Sequence, residues 1–235
     1  MILLLFLIAL APCLFLLWYF YNRDRYEPEP KRKILKIFLL GALMVLPAGI
    51  IEIVLLTIVD TITSGLLYTF IIAFIIVAPT EELLKFYAVK RWIYRSVEFD
   101  EIMDGIVYTV AASLGFATVE NIFYVVSQGI GTGIARAFFA VPGHAFFGAL
   151  MGYYIGRAKF SKEKEKQLIM KGILFAILMH GLYNFLLLTK TPAALLVIIL
   201  LIALGLFVRK NLKKAELESK VRLTKQQLNH TDTKQ

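Results

Sequence analysis

The sequence predicts an all-α protein: a polytopic transmembrane helical bundle of about seven spans. Hydrophobic residues make up 59% of the 235 residues, more than a typical soluble domain contains. They lie in blocks long enough to cross a bilayer, which takes about 20 helical residues, and helices satisfy their own backbone hydrogen bonds in lipid. We therefore expect a single integral-membrane domain over residues 1–208 and a basic, polar cytoplasmic tail over residues 209–235.

The first apolar block, Ile2–Tyr21, predicts a membrane anchor with its N-terminus outside. A signal peptide is the alternative, but no Lys or Arg precedes the block and no small-residue cleavage site follows it. Six further spans are predicted: Ile34–Val59, Leu66–Val89, Ile102–Val126, Ala137–Ile155, Leu168–Leu188 and Pro192–Val208. A total of six or eight spans stays open, if the first block does not span or if Pro79 splits the third.

The net charge of +9 is distributed over loops between the apolar blocks, which argues against a nucleic-acid partner. Four segments carry 5, 3, 5 and 8 Lys plus Arg: residues 22–33, 90–101, 157–166 and 209–235. The loops predicted on the opposite side hold only Arg136 and Lys190. This asymmetry follows the positive-inside rule and predicts that the basic loops and the C-terminus are cytoplasmic. The partner that the composition indicates is the lipid bilayer, and a single cysteine, Cys13, excludes an intrachain disulfide.

Paired acids in the third span give the strongest functional signal. Glu81 and Glu82 follow Pro79 and precede Lys85, in a segment that continues as an apolar face. A charge at the centre of a span costs roughly 2.5–3.5 kcal/mol on translocon scales, so it indicates a functional site. Glu81 and Lys85 share a helix face, whereas Glu82 is rotated from Glu81 by about 100°. The structural alternative is a capping glutamate beside a solvated ion pair at the membrane surface.

The next three spans each contain polar residues as well. The fourth holds Glu120 and Asn121, the fifth holds His144 after a Pro-Gly pair, and the sixth holds His180 and Asn184. Asn184 lies one turn from His180 on the same face, so we expect it to fix the tautomer of that histidine. A histidine that only bonds to a neighbouring helix is the alternative for each position taken singly.

Together these side chains could activate water for hydrolysis. A glutamate would act as general base, and a histidine would stabilise the oxyanion or protonate the leaving group. Alternatively His144, His180 and Glu82 could bind zinc, with one position open for water. No His-Glu-x-x-His motif is present, so metal-free chemistry stays open. At about 1.5 Å per residue, Glu82 and His180 lie roughly 12–14 Å from the cytoplasmic flanks and His144 nearer 20 Å, so helix kinks must bring these residues together or they form two sites.

The order of these motifs resembles the PrsW intramembrane proteases, a family distantly similar to the CAAX-processing and bacteriocin-processing membrane proteases. The resemblance covers about residues 22–190. The matching motifs are Glu81-Glu82-x-x-Lys85, Asp104-Gly105-Ile106-Val107-Tyr108, Phe116-x-x-x-Glu120-Asn121, His144 with the glycines after it, and His180-x-x-x-Asn184.

The resemblance implies a multi-pass protease of the bacterial plasma membrane. It implies the first cut, on the extracytoplasmic side, of a membrane-anchored anti-sigma factor such as RsiW, which leads to release of an extracytoplasmic-function sigma factor. By motif, Glu81 and Glu82 are the expected catalytic carboxylates. Glu120, His144 and His180 are expected to line the site, with Lys85, Asn121 and Asn184 as supports.

Two other functions fit the buried polar residues. A secondary transporter would also place charges near the midplane on broken helices, but no convincing internal repeat is present. A non-catalytic membrane scaffold could keep the same fold, although every polar motif residue is retained here.

Overall fold

The computed structural model describes the backbone of residues 2–232 and the side chains of residues 5–225. Within that range the protein is all-helical, which confirms the predicted fold class. The α-helices in chain order are α1 (Ile2–Arg23), α2 (Lys31–Leu43), α3 (Val45–Ile62), α4 (Gly65–Ile71), α5 (Ala78–Trp92), α6 (Ile102–Gln128), α7 (Ile130–Phe138), α8 (Ala140–Lys159), α9 (Glu165–Leu188) and α10 (Leu196–Asp232).

Six helical segments are long and apolar enough to cross a membrane, and Leu5–Tyr21 of α1 is a shorter apolar stretch. These seven segments agree with the predicted number of about seven spans. The six long segments are Lys31–Ile62, Gly65–Trp92, Ile102–Gln128, Ile130–Lys159, Lys162–Leu188 and Pro192–Lys225.

Helix α6 lies at the centre of the bundle and is buried along most of its length. Small residues allow this, because a Cβ added to Gly105 would collide with the backbone of Gly152 and Gly156 on α8. A Cβ on Gly115 would likewise collide with the backbone of Phe38 on α2. The sequence predicts close helix approach at the glycines of α8, and the structure shows that α6 is the helix that uses it.

A wide π-helical turn over Ile72–Val77 joins α4 to α5. It lies immediately before Pro79, which stands in the first turn of α5 and has no backbone N–H to donate to the preceding turn. The third predicted span is therefore one continuous segment with a local widening, and Pro79 does not split it.

The predicted fourth and fifth spans leave residues 127–136 between them as a loop, and this prediction is wrong because most of that segment is helical. Gly129, at a φ of 87°, ends α6, and the chain turns at once into α7. A break at Phe139 then separates α7 from α8. Pro142 therefore lies in the first turn of α8, where a missing N–H leaves no helical hydrogen bond unmade.

The C-terminal segment differs from the predicted short tail helix, because α10 continues without a break from the last span to Asp232. Residues 233–235 of the predicted tail lie outside the described residues. The extended helix packs against the first basic loop, since Glu216 forms ion pairs with Arg23 and Arg25. Arg222 forms further pairs, at 2.8 Å each, with Glu27 and Asp100.

Candidate active site

The two adjacent glutamates of α5 share one cation. Lys85 Nζ donates to Glu81 Oε2 at 2.9 Å and to Glu82 Oε1 at 2.8 Å. Spacings of three and four residues place both acids within reach of the lysine on one helix. Glu82 and Lys85 are fully buried and Glu81 is 4% exposed, so the solvated surface pair considered as an alternative is excluded.

Two histidines from other helices complete this cluster. His180 Nδ1 on α9 lies 2.9 Å from Glu82 Oε1, and His144 Nδ1 on α8 lies 3.2 Å from Lys85 Nζ. The centres of the two imidazole rings are 5.4 Å apart. His144 Nε2 lies 2.9 Å from Glu120 Oε2 on α6. Side chains of α5, α6, α8 and α9 therefore form one continuous polar site, and the alternative of two separate sites is wrong.

These contacts determine the proton positions in the site. Lys85 has only donors, so His144 Nδ1 must accept from it, which leaves the proton of a neutral imidazole on Nε2. That nitrogen is the one that lies 2.9 Å from Glu120 Oε2. Both donors to Glu82, from Lys85 and His180, reach the same oxygen, Oε1. Oε2 of Glu82 is buried and has no hydrogen-bond partner among the described residues.

Asn184 does not hydrogen-bond to His180 as the sequence predicts. No hydrogen bond joins the two side chains in the described part of the chain, and Glu82 occupies His180 Nδ1 instead. Asn121 is also turned away from the histidines, because its Oδ1 accepts a 2.6 Å hydrogen bond from Arg136 Nε and its Nδ2 donates to the Ala9 carbonyl. Asn121 thus supports the site through Arg136.

Arg136 is a site residue that the sequence interpretation assigns to an exposed loop. Its Nη2 lies 3.1 Å from Glu120 Oε2, and its guanidinium stacks 4.1 Å from the ring centre of Tyr124. The arginine is presented by α7, the helix that replaces the predicted loop. A signal was available, since Arg136 is one of two cations on the predicted extracytoplasmic side.

Glu52 on α3 is a second residue near the site that the sequence analysis does not identify. Its Oε1 is buried without a hydrogen-bond partner among the described side chains, and it lies within electrostatic range of Glu81, Glu120 and Lys85. The signal was the same as for Glu81: a lone acid inside an apolar span. Glu52 adds a further carboxyl group beside Glu81 and Glu120.

Aromatic rings close the site on the inner side. Phe147 stacks on His180 with ring centres 5.0 Å apart and planes at 14°. The Phe116 ring lies 4.4 Å from Lys85 Nζ, a cation–π contact. The side chains of Glu120 and Arg136 are 21% and 14% exposed, so the site opens towards this pair. Glu120 and Arg136 are therefore the members of the site nearest the surface of the bundle.

The donor atoms of this site suit a divalent metal ion. Glu81, Glu82 and His144 each offer one ligand atom, and these atoms lie within 4.8 Å of one another. Two carboxylates and an imidazole are a donor set that zinc accepts in catalytic sites, and the free Oε2 of Glu82 is an available ligand. Glu81 stands here in the place that the sequence interpretation gives to His180. Because Lys85 Nζ already contacts all three groups, an ion would have to displace the ammonium from them.

A bundle of membrane helices that buries paired carboxylates and imidazoles in one site fits a membrane-embedded hydrolase. Comparison with known families makes the class specific. Residues 29–208 match the family model described as "PrsW family intramembrane metalloprotease". The chain belongs to this family and is a peptidase embedded in a bacterial membrane.

Curated relatives match this chain along most of their length. The chain is 42% identical to "Protease PrsW" of Geobacillus kaustophilus, covering 77% of this chain and 79% of the relative. It is 39% identical to the protein of the same name from Oceanobacillus iheyensis, covering 88% of this chain and 94% of that relative. With that of Bacillus subtilis the identity is 37%, covering 76% and 80%. No solved structure matches the chain.

Proposed function

We propose that this protease makes the first cut in a membrane-anchored, RsiW-like anti-sigma factor, which leads to release of an extracytoplasmic-function sigma factor. The single observation that carries the catalytic part is the contact of Glu82 with His180, beside His144 and Glu120, in one buried site. The substrate class rests on membership of the family and on the resemblance described from the motifs. A peptidase of this family is a better account than the transporter or scaffold considered from the sequence.

Glu82 is the general base of the proposed reaction. Its Oε1 is held by Lys85 and His180, while Oε2 is unpartnered and free to accept a proton from water. A carboxylate held by one oxygen keeps its orientation and presents the other oxygen to the nucleophile. Glu81 balances the charge of Lys85 and holds the ammonium against this pair.

The histidines act on the scissile bond. His144 carries its proton on Nε2, between Lys85 and Glu120, and can protonate the leaving amine. His180 donates to Glu82 Oε1 and orients the carboxylate, and the proton that Glu82 Oε2 takes from water restores the proton that His144 has given to the amine. Arg136 holds Glu120 at the open end and favours a carbonyl oxygen as it gains negative charge.

We propose zinc as the metal, held by Glu81, Glu82 and His144. When bound, the ion supplies Lewis-acid polarisation of the scissile carbonyl. With the ion bound, Glu81, Glu82 and His144 would be its ligands and Lys85 would be displaced from them, so the roles given above are those of the metal-free site.

The experiment is cleavage of a co-expressed anti-sigma factor in cells, read as the truncated product on a blot. The double variant Glu81→Gln, Glu82→Gln should give no product, and a blot of the protease in the same membranes checks that the loss of product is not a loss of protein. The matched control Glu218→Gln, an exposed acid of α10, should cleave normally. Full cleavage by the double variant would overturn the proposed chemistry. Cleavage of a different membrane substrate, with the anti-sigma factor left intact, would overturn the substrate alone.

A further inference from the structure

A second group of buried acids lies at the end of the bundle that carries the basic loops. Asp24 and Glu29 come from the segment between α1 and α2, and Asp104 comes from the first turn of α6. One carboxylate oxygen of each lies within 4.8 Å of the others. The three residues are 2%, 4% and 1% exposed, so water does not hydrate and stabilise their charges. At about 1.5 Å per residue, Asp104 is about 24 Å along α6 from Glu120, which separates this cluster from the active site.

The hydrogen bonds of the cluster leave oxygens free. Asp104 Oδ2 accepts the backbone N–H groups of Asp100 and Glu101 at 2.7 Å each, as expected for an acid at a helix start, but its Oδ1 is buried without a partner. Glu29 Oε2 accepts from the Tyr108 hydroxyl. Both carboxylate oxygens of Asp24 are buried and unpartnered within the described residues.

The neighbouring cations are engaged elsewhere. Arg23 and Arg25 pair with Glu216, and Arg222 pairs with Glu27 and Asp100. Among residues 5–225 no ion pair reaches Asp24, Glu29 or Asp104. Buried carboxylates are ordinarily paired or bound to a metal, because an isolated buried charge is very costly.

Without a cation, the cluster must retain protons. Burial, together with the nearby Glu101 carboxylate, raises the pKa of Asp24 to about 9. Burial and the charge of Asp104 raise the pKa of Glu29 to about 10. A divalent ion would replace the protons and stabilise the buried carboxylates in their ionised form, which is the form that binds metals.

We propose that Asp24, Glu29 and Asp104 form a binding site for a hard divalent cation of the Mg²⁺ or Ca²⁺ class. All donors are oxygens, which such ions prefer, whereas no imidazole or thiol among residues 5–225 joins the cluster to favour zinc. The ion ties the segment between α1 and α2 to the start of α6, the central helix. Its role is to fix the bundle at this end, and the site does not depend on the proposed function.

Mn²⁺ is the probe, because its electron paramagnetic resonance signal reports free ion directly and it accepts the same oxygen ligands. The full chain in detergent, stripped of metals, is titrated in a Glu81→Gln, Glu82→Gln background so that the active site does not contribute. We expect one Mn²⁺ bound per chain. Adding Asp24→Asn or Asp104→Asn should weaken that binding at least tenfold, whereas Asp60→Asn, an exposed acid on another helix, should not. Competition with MgCl₂ and CaCl₂ identifies the preferred ion.

Two results would overturn the site: no tight Mn²⁺ in the Glu81→Gln, Glu82→Gln background, or unchanged binding after Asp24→Asn. If the aspartate variants fail to fold, Glu29→Gln removes a ligand with little change in volume. The Mn²⁺ titration of the Glu81→Gln, Glu82→Gln background leaves Asp24, Glu29 and Asp104 intact. It therefore tests the proposal even if the cluster variants do not fold.

Discussion

His180 Nδ1 lies 2.9 Å from Oε1 of Glu82, a contact that joins residues 98 positions apart. It brings α9 against α5 at the point where Lys85 donates to the same oxygen. The imidazole is held on its other side by Phe147, which stacks on the ring. Glu82 is thereby fixed at one oxygen and free at the other, the arrangement from which the proposed general-base role follows.

His180 and Asn184 should respond differently to substitution, although both belong to one motif. His180→Ala removes the partner of Glu82 and should lower the rate of anti-sigma factor cleavage by about 10²- to 10⁴-fold, the range for a lost acid–base group. Asn184→Ala should keep most of the activity, because Asn184 makes no hydrogen bond to the histidine in the described structure. Initial rates of product formation by purified protein in detergent measure both. Equal losses in the two variants would restore Asn184 as the tautomer-fixing residue.

Lys85→Met should destabilise the metal-free protein. It leaves two buried carboxylates without their cation, and breaking such a buried group typically costs about 3–5 kcal/mol. Zinc should recover part of this loss and bind the variant more tightly than the parent, because the ammonium no longer competes for Glu81, Glu82 and His144. Thermal unfolding with and without zinc measures both effects.

The control for this variant is Lys213→Met, an exposed lysine on α10, which should change neither stability nor zinc binding. A Lys85→Met protein with unaltered stability and unaltered zinc affinity would contradict the shared position of lysine and ion.

Arg136→Gln should reduce cleavage, since it removes the cation that holds Glu120 and Asn121. Hydrogen bonds to charged groups are worth about 1.5–3 kcal/mol, which corresponds to roughly a 10- to 150-fold loss. Arg136→Lys should be intermediate, because an ammonium lacks the fixed fork that reaches both partners. Lys190→Gln, which removes the other cation on the predicted extracytoplasmic side, should leave the rate of cleavage unchanged. Loss of activity in Lys190→Gln alone would show that net charge on that side matters rather than the Arg136 contacts.

Glu216→Gln should lower the free energy of unfolding by about 1 kcal/mol, because Glu216 pairs with Arg23 and Arg25 near the surface. The effect should shrink at high salt, since partly exposed pairs are screened. Glu218→Gln, on the exposed face of the same helix, should change stability by less than about 0.5 kcal/mol. Equal effects of the two substitutions would mean that α10 does not bind the first basic loop in the way described.

The residues that could be predicted from the sequence are those whose cost in lipid is evident from one helix alone. Glu81, Glu82, Glu120, His144 and His180 are expensive within apolar spans, and the structure brings them together. Glu52 met the same criterion and was missed because it stands alone, without a second polar residue one turn away. Its proximity to Glu81 and Glu120 depends on how α3 packs, which periodicity does not specify.

Arg136 and Asn184 show where sequence reasoning stops. Gly129, Gly131 and Gly133 indicate a loop, so the short helix α7 that presents Arg136 is decided by tertiary packing. The spacing of His180 and Asn184 permits a contact within α9, but a carboxylate from α5 supplies a stronger partner. In both cases the deciding contact comes from another helix, which local spacing cannot reveal.

The wide turn over Ile72–Val77 sets the direction in which the side chains of α5 point around the helix axis. Such a turn amounts to one inserted residue in an α-helix, and each residue turns the helix by about 100°. Shortening this turn to regular winding would aim both glutamates at a different neighbour, with no change in the acids themselves. The catalytic direction of the pair is thus encoded upstream, in a stretch of plain aliphatic side chains.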